Sequence, residues 1–135
     1  GKLFDEVLAP LKRYENVHIL RTFLRQEEIY EYHKKNGIFL VPTRQDSQGV
    51  SKDEAMSSGL IPVTNAVTAI PEFVDASCGV LSPGEDYLDM AHQIGRIVDN
   101  PSLFLSMSKA AADRVRRQTA SDVIIQKELG LIRGE

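Results

Sequence analysis

A single cysteine, Cys78, stands among the 135 residues, so the chain can close no disulfide within itself. This excludes the small bridged folds and fits a reducing compartment; the expected location is the cytoplasm. No apolar run approaches the roughly 20 residues that a spanning helix needs, so no transmembrane segment is expected. The start, Gly1-Lys2-Leu3-Phe4-Asp5-Glu6, is not that of a signal peptide. It opens directly into an amphipathic segment, as expected of a chain cut from something longer. The three histidines, His18, His33 and His92, are scattered with no neighbouring ligand pattern, and no metal site is read. An excess of charge is missing too. The 16 Lys and Arg against 19 Asp and Glu leave a net −3, which gives no electrostatic case for binding nucleic acid or an anionic membrane. Arg114, Arg116 and Arg117 form one dense basic spot late in a helical pattern, and read as a solvated helix end.

What is present is an alternation of short apolar runs and helical patterns. Hydrophobic residues at 42% and charged residues at 26% are ordinary for a globular domain, and the length suits one domain over 1–135. Leu3, Val7, Leu8 and Leu11 predict a helix over 2–13. Val17-His18-Ile19-Leu20 is β-prone, and 26–35 reads as a helix with Ile29 and Tyr32 or His33 on one face, ended by Asn36-Gly37. Ile38 to Val41 predicts a strand buried on both faces. After a polar loop over 43–48, a helix is expected from about Val50 to Ser58, stopped by Gly59. A strand over 61–64, a helical turn over 71–75 and a strand over 79–81 follow. The next helix carries Leu88, Ala91, Ile94 and Val98. Asn100-Pro101 restarts a helix with Leu103, Met107, Ala110, Ala111 and Val115, and Ser121 caps a last one. The pattern implies β-α-β crossovers, hence an α/β fold with a doubly wound parallel sheet. Four strands are legible where such sheets usually have five or six, so one or two N-terminal strands are expected to be missing.

Ligands of open parallel sheets bind at the carboxyl ends of the strands. There the loop Thr43-Arg44-Gln45-Asp46-Ser47-Gln48-Gly49 enters a helix, whose free N–H groups and dipole favour an anion. Gly49 allows close backbone approach, and two carboxylates, Asp46 and Glu54, flank the point. A carboxylate accepts two hydroxyl hydrogen bonds and suits a sugar diol. The spacing also allows a bland account. Ser51-x-x-Glu54 is a capping-box spacing, and Asp46 can serve as a turn former. Spacing alone supports only an anion site.

The stretch Val-Pro-Thr-Arg-Gln-Asp-Ser-Gln-Gly-Val-Ser-Lys-Asp-Glu-Ala-Met-Ser-Ser-Gly-Leu-Ile-Pro-Val-Thr, residues 41–64, resembles the retaining GT-B-fold glycosyltransferases related to glycogen and sucrose-phosphate synthase. That family has an acidic residue, seven others and a Glu, then Ala-Met and a Gly-x-Pro-Val strand. Asp46 and Glu54 occupy the two acidic positions. The likeness continues through 17–20 with Glu27-Glu28-Ile29, through Ala69 to Val74, through Gly79 to Glu85, and through Asp99 to Leu103 and Ala110 to Val115. Asp46 stands where Glu is usual, Ser47-Gln48 replaces Gly-Phe, and Arg21 stands where Gly follows the first strand; these departures bear on the hexose contact and the base pocket.

The resemblance implies the C-terminal, Rossmann-like, donor-binding domain of a two-domain enzyme. Glu54 would hold ribose hydroxyls of a nucleoside diphosphate sugar. Asp46 and the backbone of Ser47, Gln48, Gly49 and Val50 would hold hexose and diphosphate, with Arg44 adding a cation nearby and Glu72 a first-turn helix residue. Asp46 and Glu54 would carry catalysis, by stabilising a leaving diphosphate with retention and with no metal or other cofactor. A Gly-Arg…Lys-Gly segment and an acceptor-binding domain would lie upstream of Gly1, the latter able to bring the enzyme to the inner face of a membrane. Arg44, Asp46 and Glu54 are expected at the mouth of one cleft. The rival readings are a binding module for a nucleotide or sugar phosphate, without catalysis, and an interaction domain with a degenerate site.

Overall fold

The computed structural model describes residues 3–134. Its centre is a three-stranded parallel sheet in the order β1 (Ile38–Leu40), β2 (Ile61–Asn65), β3 (Val80–Ser82). Ile38 pairs with Ile61 and Leu40 with Val63; Val63 pairs with Val80 and Asn65 with Ser82. All three strands run the same way, so their carboxyl ends deliver the loops after Leu40, Asn65 and Ser82 to one edge.

The connections are helical, as parallel pairing requires. Ahead of the sheet lie the short α1 (Phe4–Leu8) and α2 (Gln26–Lys35); helix α3 (Val50–Ser57) joins β1 to β2, and the short α4 (Ile70–Phe73) lies between β2 and β3. Helices α5 (Tyr87–Val98), α6 (Pro101–Thr119) and α7 (Ser121–Arg133) follow. Side-chain alternation along the strands separates two apolar clusters. Ile61, Val63 and Val80 pack with Met90 and Ile97 of α5 and Met107 of α6. Met56 of α3, Ile70 and Val74 join Cys78, Ala111 and Val115 in the other, with Leu81 against it. Helix α6 therefore serves both. Each large side chain buried in these clusters contributes about 1.5–3 kcal/mol.

Helix ends follow local chemistry. Asn100 Oδ1 accepts the Leu103 N–H at 3.1 Å, with Pro101 at the first helical position. At the end of α3, Leu60 N–H reaches Ala55 C=O at 3.1 Å and Gly59 N–H reaches Met56 C=O at 2.9 Å. With Gly59 at φ +84°, this is a Schellman motif, and Gly59 is the stop that its sequence position predicted.

Several expectations are corrected. Val17 to Leu20 forms no strand, because no neighbouring strand among the described residues offers it a ladder. Residues 2–13 do not form one helix: Phe4–Leu8 is α-helical and Ala9–Arg13 is 3-10, with Pro10 inside the second part, and Leu3, Val7 and Leu11 are exposed. Residues 1 and 2 lie outside the described residues. The strand buried on both faces is β2, all five residues of it; β1 pairs on one side only, and Leu40 is 53% exposed. Gly37 has no positive φ. Space dictates glycine there, since a Cβ would lie 2.5 Å from the Phe104 ring. In α5 the inward face is Met90 and Ile97, while Leu88 and Val98 are exposed. Ser121 does not cap α7; extended Ala120 separates it from α6 and offers no side-chain bond. Arg116 and Arg117 are exposed, as a solvated helix end requires, whereas Arg114 is half-buried: its guanidinium pairs with Asp75 and donates to the Glu72 carbonyl at 3.2 Å.

Candidate functional site

The loop from Thr43 to Gly49 is tied down almost residue by residue. Thr43 N–H donates to Asn65 Oδ1 at 2.9 Å, and the Thr43 hydroxyl donates to the Gln45 carbonyl at 3.0 Å. Buried Asn65 also donates through Nδ2 to the Gly84 carbonyl, so one amide at the end of β2 holds the loops after β1 and β3 together. Arg44 makes a bidentate pair with Glu85, Nε to Oε1 at 2.8 Å and Nη2 to Oε2 at 3.0 Å. That pair holds the Glu85 carboxyl below its ordinary range and the guanidinium above its own. Asp46 N–H donates to the Thr68 hydroxyl at 3.3 Å, and that hydroxyl donates to the Asp46 carbonyl. Gln48 Nε2 reaches Asp53 Oδ2 at 3.0 Å.

Gly49 is the N-cap of α3 at φ +72°, ψ +61°. A Cβ there would be strained by its backbone, and would lie 3.1 Å from Lys52 Cε and 3.2 Å from Asp46 Oδ2. The first intrahelical bonds are Lys52 N–H at 2.9 Å and Asp53 N–H at 3.1 Å, both to the Gly49 carbonyl. The N–H groups of Val50 and Ser51 therefore open the helix without intrahelical acceptors.

This start removes the capping-box account of Glu54. With Val50 first, Ser51 is the second helical residue and Glu54 the fifth, whereas a capping box joins the N-cap to the third. The Glu54 carboxylate is half-buried and carries no hydrogen bond or ion pair to the described residues; the same holds for Asp46. Glu54 lies between a recess of about 350 Å³, lined by Leu24, Ile29, Phe39, Leu60 and Ser51, and a groove beside Gln48, Val50, Asp53 and Ser57. Arg44 lines a different cleft, of about 670 Å³, with Thr43, Gln45, Asn65, Glu85 and Tyr87. The structure thus places Asp46 on the loop and Glu54 about one helical turn beyond Gly49, but separates Arg44 from Glu54; the three do not share one cleft. Ser47 is exposed, Val50 is 62% exposed, and the Gln48 side chain turns inward to Asp53. Glu72 is an exposed first-turn residue of α4.

Sequence reasoning missed the groups beneath the loop. Lys52 is 1% exposed, paired with Asp53, its ammonium 5.0 Å from the centre of the Phe73 ring. The signal was there: position 52 shares a helix face with Ala55 and Met56, and a Lys on that stripe is out of place unless paired. Asn65 and Thr68 gave no comparable signal. Among the described residues no three His, Cys, Asp or Glu side chains gather as a metal would require, and no helix is long and apolar enough to cross a membrane.

Residues 2–100 match the family described as glycosyl transferases group 1. A curated relative, the D-inositol 3-phosphate glycosyltransferase of Streptomyces bingchenggensis (strain BCW-1), is 26% identical over 93 residues, 68% of this chain and 20% of its own length. Among solved structures, the sucrose-phosphate synthase of Thermosynechococcus elongatus superposes with a TM-score of 0.84 at 20% identity, over 98% of this chain and 33% of its own. TarM superposes at 0.80 with 21% identity, over 97% and 27%. A further TarM structure, from S. aureus and in complex with Fondaparinux, alpha-GlcNAc-glycerol and UDP, superposes at 0.78 with 20% identity, over 96% and 27%. These likenesses establish the fold: a parallel α/β domain shared with part of GT-B glycosyltransferases. The chain spans a fifth of the curated relative and a third or less of the structural ones.

Proposed function

The chain belongs to the glycosyl transferases group 1 family, and from that membership we propose that it supplies the donor-binding half of an enzyme that moves a sugar from a nucleoside diphosphate to an acceptor. The observation that carries the reading is the start of α3. There a left-handed Gly49, two N–H groups without intrahelical acceptors and two unpaired carboxylates, Asp46 and Glu54, lie on one fastened loop and its helix. The N–H groups and the helix dipole meet the diphosphate. Asp46 and the backbone of Ser47, Gln48, Gly49 and Val50 meet the hexose and its phosphates, and Glu54 accepts the ribose hydroxyls. Arg44, two residues before Asp46, joins the anion only once its bidentate pair with Glu85 opens.

In the proposed reaction the bond from the anomeric carbon to the diphosphate oxygen breaks with its electron pair on that oxygen, the acceptor hydroxyl oxygen takes its place with retention of configuration, and the hydroxyl proton passes to the leaving diphosphate. Fixed dipoles stabilise the charge developing on the leaving diphosphate, without a resident metal. The acceptor binds mainly to a second domain, outside this chain, so the chain alone is proposed to transfer no sugar; turnover by the purified 135-residue chain would overturn that division.

Glu54→Gln tests the site. Its carboxylate supports no cap, so the substitution should leave the melting temperature nearly unchanged. Hydrogen bonds to a charged acceptor are worth about 1.5–3 kcal/mol, and nucleotide binding should weaken by about 1–3 kcal/mol. Equal binding by both forms, measured by calorimetric titration of the full-length protein with UDP, GDP and ADP, would remove Glu54 from the site.

A further inference from the structure

Thr68 is the only residue other than glycine with a positive φ among the described residues, at +45°. A β-branched side chain is the least suited to that region, and such strain persists only where surrounding contacts hold it. Here the contacts all point one way. Strand β2 ends at Asn65, and the chain turns through Ala66 and Val67, with Val67 N–H bonded to the Asn65 carbonyl at 2.9 Å. The left-handed backbone then aims the Thr68 hydroxyl across to the loop after β1. It accepts the Asp46 N–H at 3.3 Å and donates to the Asp46 carbonyl, closing both main-chain groups of that residue with one oxygen. Thr68 is itself exposed, so this clasp is not a by-product of core packing.

We infer that Thr68 is a positioning residue for the donor site: its hydroxyl fixes the peptide planes on both sides of Asp46, and through them the direction of the Asp46 carboxylate and of the chain entering α3. The inference rests on the donor-site reading given above. Asp46 has no other side-chain or main-chain hydrogen bond among the described residues, so the clasp is what orders it before a ligand arrives. An ordered loop spends less binding energy on its own immobilisation.

The test uses the full-length protein and three substitutions. Thr68→Val keeps shape and branching but deletes the hydroxyl. Thr68→Ser keeps the hydroxyl, and Thr68→Gly relieves the backbone while deleting it. Two readouts are taken: amide hydrogen exchange over 46–49, and titration with UDP, GDP and ADP. Loss of two modest hydrogen bonds should speed exchange at the Asp46 amide by about 3–10-fold in the Val and Gly variants, and raise the nucleotide dissociation constant by a similar factor. Thr68→Ser should stay within about twofold of the parent in both. Thr68→Gly should weaken binding without lowering the melting temperature, a split that a merely structural role would not produce. Unchanged exchange in Thr68→Val, or a Ser variant as impaired as the Val one, overturns the inference while leaving the donor site standing. Failure of the parent protein to bind any of the three nucleotides overturns the donor site itself, and with it the role of Thr68 there.

Discussion

The pair Lys52–Asp53 offers the sharpest energetic test of the ground under the loop. Neighbours in sequence on a helix do not face each other. The pair closes because the Lys52 stem runs back toward the helix start, bringing Cε near Gly49 and the ammonium over Phe73. Lys52→Met keeps most of the buried volume and a polarizable atom near the ring. It also leaves the Asp53 carboxylate, whose side chain is 11% exposed, with only Gln48 as partner. Removing one member of a buried pair costs about 3–5 kcal/mol; the residual exposure and the Gln48 bond place this case at about 2–4 kcal/mol. At about 2.1 cal/mol/K of unfolding entropy per residue, a domain of this length loses roughly 3.5 °C per kcal/mol, so the melting temperature should fall by about 7–14 °C. Asp53→Asn added to Lys52→Met removes the stranded charge and keeps a group for Gln48 to bond. The double variant should recover about 1–3 kcal/mol relative to additivity. Urea melts of the four forms decide it. A loss below about 1 kcal/mol for Lys52→Met, or no recovery in the double variant, would refute a buried, mutually dependent pair.

Gly49→Ala should cost about 1–3 kcal/mol, since a left-handed backbone penalises any Cβ and this one presses on Lys52 and Asp46; it should also weaken nucleotide binding severalfold, with thermal melts and titration as the checks. The Asp75 carboxyl is held below its ordinary range, first by hydrogen bonds from Ser77 and also by Arg114. A depressed folded value gives stability that is fully present above the unfolded value near pH ~3.9 and is lost as pH falls through the folded one. Melting temperature should therefore drop at acid pH, and Asp75→Asn should flatten that drop; parallel slopes in the two proteins would contradict it.

The amino-acid sequence determined the elements whose signals are local. Asn100-Pro101 announced α6 because a side-chain cap and a fixed φ act within four residues, and Gly59 announced the end of α3 for the same reason. The apolar runs at 38–41, 61–64 and 79–81 marked the three strands, and the order of the motifs pointed to the family. Tertiary structure decided what depends on neighbours. Val17 to Leu20 carries strand-forming residues, but a strand exists only when another backbone answers its hydrogen bonds. Leu88 and Val98 fit a helical stripe as well as Met90 and Ile97 do, and only the position of the sheet chose between the stripes. Glu54 could be a cap or a ligand until the helix start fell at Val50. Arg44 stood two residues from Asp46 in sequence yet turned to Glu85, 41 residues away, because a bidentate carboxylate lay within its reach. Thr68 could not be found by pattern at all. Its hydroxyl acquires a task only when the turn after β2 is folded against the loop after β1, a meeting of residues 22 apart that no local preference encodes.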